Sequence, residues 1–364
     1  MLQTTNSPAQ VEAVFTALAT ALGEASAKAV VQREPSVLYQ KPDTVNAVVT
    51  ALGEALGAEG ARHALFRNPT LMQPNRDSHV LGALQALATV FGGDEQLANQ
   101  LVRRNTLLLG TRASTILGAF EALNDLFGQS EALQLASQHP GLLRSMPMTM
   151  RGALEELAII LGSAEAAYEA VRQNSALLKA RRSTMQDSWA TLCTLFGKAT
   201  ALDMVNSQLG LLRSRASTLR ASHDALVLAL GPANAPTVIA ATPVLLQCRH
   251  RVIEFNWNAL SSTVGPDRGH DIAMTVPHVL AFRLGRLPEL LALLLDIFSG
   301  SSDSLASAHG PVFRCPPAKL ANRWASIIRR CGNGEVAAKT LVASNSRLLT
   351  CTENVLDARI AKAV

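Results

Sequence analysis

Arg181, Arg215, Arg249 and Arg283 stand 34 residues apart, and Lys41 and Arg112 share their phase in a repeat described below. A guanidinium carries a planar fork of donors that matches phosphate oxygens, so a file of them at constant phase suits a phosphate backbone. Further cations thicken the band, above all between residues 179 and 286. The candidate phosphate contacts are Arg112, Arg144, Lys179, Arg181, Arg182, Arg213, Arg215, Arg249, Arg251, Arg283 and Arg286.

Other chemistry is sparse. The chain has no H-E-x-x-H, no G-x-x-x-x-G-K-[ST] and no G-x-S-x-G. Cys248 and His250 are two potential ligands without a second pair, too few for a zinc site. Glu155 and Glu156 are adjacent, so on a helix they diverge by about 100° and cannot share a proton. His139 and His278 fall beside or inside a hydrophobic turn, where a packed or capping role is expected. The reading is non-catalytic, with no cofactor, metal or small-molecule substrate.

What must position the cations is a repeat. Gly23, Gly57, Gly92, Gly128, Gly162, Gly197, Gly231 and Gly265 recur every 34–36 residues. About 12 residues later comes a plug, a proline-like position followed by aliphatics, as in Pro140-Gly141-Leu142-Leu143 and Pro243-Val244-Leu245-Leu246. Ten such plugs begin at Pro35, Pro69, Thr106, Pro140, Ser175, Leu209, Pro243, Pro277, Pro311 and Ser346. Counting the first plug residue as zero, position +6 reads Lys41, Asn75, Arg112, Met146, Arg181, Arg215, Arg249, Arg283, Pro317 and Thr352. Six of ten are cationic in a chain with 33 Lys and Arg among 364 residues, far above chance. Arg76 and Arg144 lie close to two of the exceptions.

Ala and Leu dominate the 48% of hydrophobic residues, and no long β-branched alternation occurs, which predicts an all-α fold. In the clearest repeat Thr149 is expected to cap a helix whose Leu154, Leu157, Ala158 and Leu161 form one apolar stripe. Gly162 is expected to end it in a left-handed conformation, and Ser163 to cap a second helix, 164–173. Ala167, Ala170 and Val171 of that helix should face inward. Asn174 closes it, a 3₁₀ turn over Ser175–Leu178 buries two leucines, and Thr184 with Asp187 has capping-box-like spacing. Stacking such units predicts a curved α-solenoid of about ten repeats of 34–36 residues, each with two longer helices and a short 3₁₀ turn. Residues 1–10 form a lead-in, 11–298 hold eight regular repeats, and 299–364 hold divergent repeats and a cap, with a Ser-rich stretch at Ser299–Ser304.

The order of helix, glycine, helix and proline–leucine plug resembles the mitochondrial transcription termination factor (mTERF) family. His139-Pro140-Gly141-Leu142-Leu143 and Thr242-Pro243-Val244-Leu245-Leu246 carry the likeness most sharply, and it extends from about residue 11 to 350. The resemblance implies a curled solenoid with a basic concave face, working on DNA, on RNA or within the ribosome of an organelle. It implies a mitochondrial location, with the chloroplast as alternative. No targeting segment is visible: the first basic residue is Lys28 and the repeat begins near Val11. Tetratricopeptide repeats need aromatic knobs that this chain lacks.

Charge is uneven along the chain. Residues 1–100 carry 6 Lys and Arg against 9 Asp and Glu, whereas residues 301–364 carry 9 against 4. Five cysteines without regular spacing point to a reducing compartment, and prolines interrupt the longest uncharged stretch, so no membrane span is expected. Two readings of the cations remain open. They cap carbonyls and pair with a neighbour's Glu in a solvated loop, or they track phosphates. On the second reading each repeat advances roughly 10 Å along a polymer that offers a charge about every 1.7 Å, so binding is moderate and strongly salt-dependent. Few aromatics exist for stacking bases, which favours structured RNA or duplex DNA over single strands. The expected partner is RNA, ribosomal RNA included, or duplex DNA, and ribosomal proteins if the chain is a built-in subunit of an organellar ribosome.

Overall fold

A computed structural model of the chain describes residues 7–72, 77–300, 310–331, 334–352 and 355–356. Among them the backbone forms α-helices and short 3₁₀ turns, with no strand. The chain divides into two compact units, Met1–Arg182 and Ser183–Val364.

Helix lengths repeat closely. Pro8–Leu22, Ala113–Phe127, Pro147–Leu161, Arg182–Phe196, Ala216–Leu230 and His250–Val264 each have 15 residues. Each is followed by a shorter helix, of 10 residues in Glu24–Arg33, Gln129–Gln138, Ala164–Gln173, Lys198–Ser207 and Pro266–Thr275. Pro42–Arg67 runs on for 26 residues, but Gly57 within it has φ 72° and ψ 165°, so it is one helix of each kind, 42–56 and 58–67, meeting at a glycine.

That glycine conformation is the joint of the fold. Gly23, Gly57, Gly128, Gly197, Gly231 and Gly265 all hold φ between 72° and 88° with ψ between 148° and 165°, a region open in practice only to glycine. Gly162 instead adopts the expected left-handed C-cap, φ 89° and ψ −7°. The reason lies in the next residue. Ser163 is an extra link residue, and its hydroxyl accepts the Ala166 N–H at 3.1 Å, so the turn takes two residues rather than one. The Gly92-Gly93 link is longer again, and Asp94 caps Leu97 N there at 2.9 Å. Links of different length thus leave the long helices nearly constant, while after Gly231 the short helix contracts to seven residues, Ala235–Ala241.

After each short helix one residue turns the chain: Glu34, Asn68, Asn105, His139, Asn174, Gln208, Thr242, Val276 and Asn345 share φ near −140° and ψ near 75°. The 3₁₀ plug follows. Its leucine pairs, such as Leu142–Leu143, Leu177–Leu178, Leu211–Leu212 and Leu245–Leu246, are fully buried, worth about 1.5–3 kcal/mol per side chain. Proline suits the first plug position because that amide has no partner inside the turn, so Thr106, Ser175 and Leu209 can replace it.

Packing follows chain order inside each unit. In the first, Pro8–Leu22 packs on Pro42–Arg67, that on Asp77–Val90, then come Ala113–Phe127 and Pro147–Leu161. In the second, Ala216–Leu230 packs on His250–Val264, that on Arg286–Ile297, and that on Pro317–Arg330. Successive 3₁₀ plugs touch alongside. Arginines at short-helix ends reach the next repeat: Arg33 donates to Phe66 O at 2.8 Å, and Arg104 to Ser137 O at 3.0 Å and Gln138 O at 3.2 Å.

Several expectations need correction. Thr149 is not a helix cap: Pro147–Leu161 begins two residues earlier with Met146 at the N-cap, because Pro147 is already shaped for a first helical position. Thr184 likewise lies inside Arg182–Phe196, so no capping box forms with Asp187. The apolar face of Pro147–Leu161 is Met150, Ala153, Leu154, Leu157 and Ile160; Ala158 and Leu161 are only half-buried. The side chains of His139 and His278 are exposed, and only the His139 backbone caps, donating to Leu135 O and accepting from Leu142 N. Within the divergent segment 299–364, residues 301–309, which include most of the Ser-rich stretch, lie outside the described residues, as does Asn75-Arg76.

Candidate nucleic-acid interface

Helix starts in this fold come in two chemical kinds. Five short helices obey the usual dipole rule, with Glu24, Glu95, Glu131, Glu165 and Asp267 in their first turns, while Lys198–Ser207 and Ala235–Ala241 have no acid there. Ala113–Phe127, Arg182–Phe196, Ala216–Leu230 and His250–Val264 do the opposite: none has an acidic residue in its first turn. Arg112, Arg215 and Arg249 occupy the N-cap position with extended backbone and make no side-chain cap bond; Arg181 directly precedes its helix. A cation there is unfavourable by about 0.3–1 kcal/mol, and the usual Ser, Asp or Asn cap is forgone as well. Free amides beside a guanidinium form a set of donors that an anion completes.

Eight candidate residues are available for such an anion. Arg112, Arg144, Arg181, Arg213, Arg215, Arg249, Arg251 and Arg283 are exposed, and among the described residues none of them is held by an ion pair or side-chain hydrogen bond. Arg283 departs from the expected setting. Its helix starts late, at Arg286 with Gly285 as N-cap at φ 87°, because Pro288 is tolerated only in a first turn. Arg283 therefore precedes the cap by two residues.

Three candidates are engaged inside the protein. Arg182 Nη1 donates to Glu155 Oε2 at 2.9 Å and its Nε to Glu156 Oε2 at 3.1 Å, so one guanidinium grips both adjacent carboxylates. Arg286 donates to Arg314 O at 2.9 Å and lies 4.1 Å above the Phe282 ring. Lys179 stretches across Gly141, where a Cβ would stand 2.5 Å from its Nζ.

The chain matches no family model and no curated protein sequence.

Two features of this edge are visible in the structure and were not singled out from sequence. Arg112-Ala113-Ser114-Thr115, Arg181-Arg182-Ser183-Thr184 and Arg215-Ala216-Ser217-Thr218 repeat one motif, which leaves Ser114, Ser183 and Ser217 exposed in the first helical turn as further donors. Beneath the edge, Ser188, Ser222 and Asn256 are fully buried polar residues of three successive long helices. Their 34-residue spacing was a readable signal, hidden because polar residues in an apolar stripe look like noise.

Elsewhere the polar groups are structural. Burial pushes the Cys248 thiol above its ordinary range, which disfavours the thiolate a metal needs. Among the described residues no group of three or more His, Cys, Asp or Glu converges as a metal site. The cleft lined by Gly57, His63, Phe66 and Arg103, about 790 Å³, is braced by Arg103 donating to Leu56 O at 2.6 Å. No helix among the described residues is long and apolar enough to cross a membrane.

Proposed function

We propose that the chain is a non-catalytic, nucleic-acid-binding helical-repeat protein, a curved α-solenoid of about ten mTERF-like repeats acting in organellar gene expression. Its partner is the phosphate backbone of structured RNA or duplex DNA, and its location the mitochondrion or, alternatively, the chloroplast. The observation that carries the reading is the contrast between helix starts. Five short helices place an acid in their first turn, whereas Ala113–Phe127, Arg182–Phe196, Ala216–Leu230 and His250–Val264 place none there and carry the unpaired Arg112, Arg181, Arg215 and Arg249 at their starts. The dipole is thus complemented at most short-helix starts and left for an external anion at these four.

The test is binding of a duplex RNA hairpin by the full chain across a salt series. Affinity should fall steeply with salt, the logarithmic slope changing by about 0.9 for each phosphate neutralised. Replacing Arg181, Arg215, Arg249 and Arg283 with Glu should abolish binding while leaving the helical fold intact. Salt-insensitive binding, or full binding by that variant, contradicts the proposal.

A specific observation also favours a second reading, a structural subunit of an organellar ribosome. Where the cation phase lapses, Met146 and Met148 are exposed at 67% and 75%. Such side chains on a basic edge suit a chain seated on ribosomal RNA beside a protein neighbour. Co-sedimentation with ribosomal subunits at salt that strips free RNA-binding proteins distinguishes this reading.

A further inference from the structure

We infer that Ser188, Ser222 and Asn256 are positioning residues that hold the arginine-bearing straps of the following repeats in place for phosphate; the inference rests on the nucleic-acid reading above. The three side chains are fully buried and 34 residues apart. Each reaches out of its own helix to the carbonyl of the residue directly before a stripe arginine. Ser188 shares its one hydroxyl proton between Ser214 O, ahead of Arg215, and Thr184 O of its own helix. Ser222 donates to Cys248 O, ahead of Arg249. Asn256 Nδ2 donates to Phe282 O at 2.7 Å, ahead of Arg283, and to Leu280 O at 3.1 Å.

Two comparisons within the chain argue that these bonds serve the straps. Ala119 and Ala153 hold the same position in two earlier long helices, and those helices pack without a polar group there. Asn256 is moreover retained at a cost, since its Oδ1 is buried with no protein partner among the described residues. A hydrocarbon would avoid that; an amide is explained by its two bonds to the strap. The Arg283 strap is the one that lacks the helical N-cap setting of its predecessors, and it is also the one that receives two bonds. Holding the strap before the ligand arrives removes ordering that binding would otherwise have to supply.

A double-mutant cycle tests this, with a 20-base-pair RNA hairpin as probe and the full chain as protein. Ser222→Ala should weaken binding about three- to tenfold, the worth of ordering one long side chain. In an Arg249→Gln background it should have no further effect, because Ser222 acts through that arginine. Unchanged binding by Ser222→Ala, or an equal loss in both backgrounds, overturns the inference while leaving the nucleic-acid reading intact. Absence of salt-sensitive binding by the unaltered protein overturns both. Amide hydrogen exchange on the unaltered protein covers the case in which Ser222→Ala fails to fold. Ser214, Cys248 and Phe282, whose straps are tethered, should exchange more slowly than Thr111, Ser145 and Ala180, which make the same turn bond without a tether. Equal rates in the two sets contradict it.

Discussion

Adjacent arginines have opposite duties in this chain. Arg181 is exposed and unpaired, whereas Arg182 joins two carboxylates, one of which, Glu156, is only 5% exposed. Arg182→Ala removes a charged hydrogen bond from the buried carboxylate of Glu156 and should lower stability by about 1–3 kcal/mol in urea unfolding. Arg181→Ala should stay within about 0.5 kcal/mol of the unaltered protein and instead weaken RNA binding. The sequence shows a basic band at this point but not which of its members are already paired. That depends on Glu155 and Glu156, a turn and a helix away, and such partners become visible only after packing. The cysteines carry a second residue-level consequence. Burial raises the thiols of Cys193, Cys248, Cys315 and Cys331, so the folded chain keeps protons that the unfolded chain releases. Stability should therefore be unaffected by these thiols below their unfolded values and fall as pH rises past about 8.5. Thermal unfolding between pH 7 and 10 measures it; a melting temperature that rises over that range contradicts the assignment.

At the scale of the element, the glycine link sets the register of the helices. Gly128 and Gly197 sit at φ 77° and 78° with ψ near 160°, so Gly128→Ala should cost about 1–3 kcal/mol although open space surrounds the position. Gly162→Asn should cost less, since asparagine tolerates the left-handed region found there. One residue inserted after Gly197 should be tolerated far better than one inserted after Leu192, because natural links already vary in length and the 15-residue helices do not. Matched unfolding curves for these variants decide between the two. The glycine joints that end the long helices and the leucine plugs were legible from periodicity alone. The helix caps were not: Thr149 and Thr184 are good cappers by type, yet proline geometry and the extended strap start the helices earlier.

On the scale of the whole molecule, charge is divided along the chain. Among the described residues, unpaired arginines stand on the straps of both units, Arg112, Arg144 and Arg181 in the first and Arg213, Arg215, Arg249, Arg251 and Arg283 in the second, while the first hundred residues carry excess acid. Repeat phase made this band legible, because a constant offset in sequence becomes a constant place in each helix pair. It did not reveal that the helix after Arg283 starts late, which Pro288 imposes. The most direct measurement is photo-cross-linking of a structured RNA to the full chain, with the linked peptides identified by mass spectrometry. The account predicts cross-links on the straps and first turns around residues 112–115, 181–184, 213–218 and 249–252, and their loss when the four stripe arginines are changed to Glu. Cross-links gathered instead on the glycine-link edge, around Gly128, Gly162 and Gly197, would contradict it.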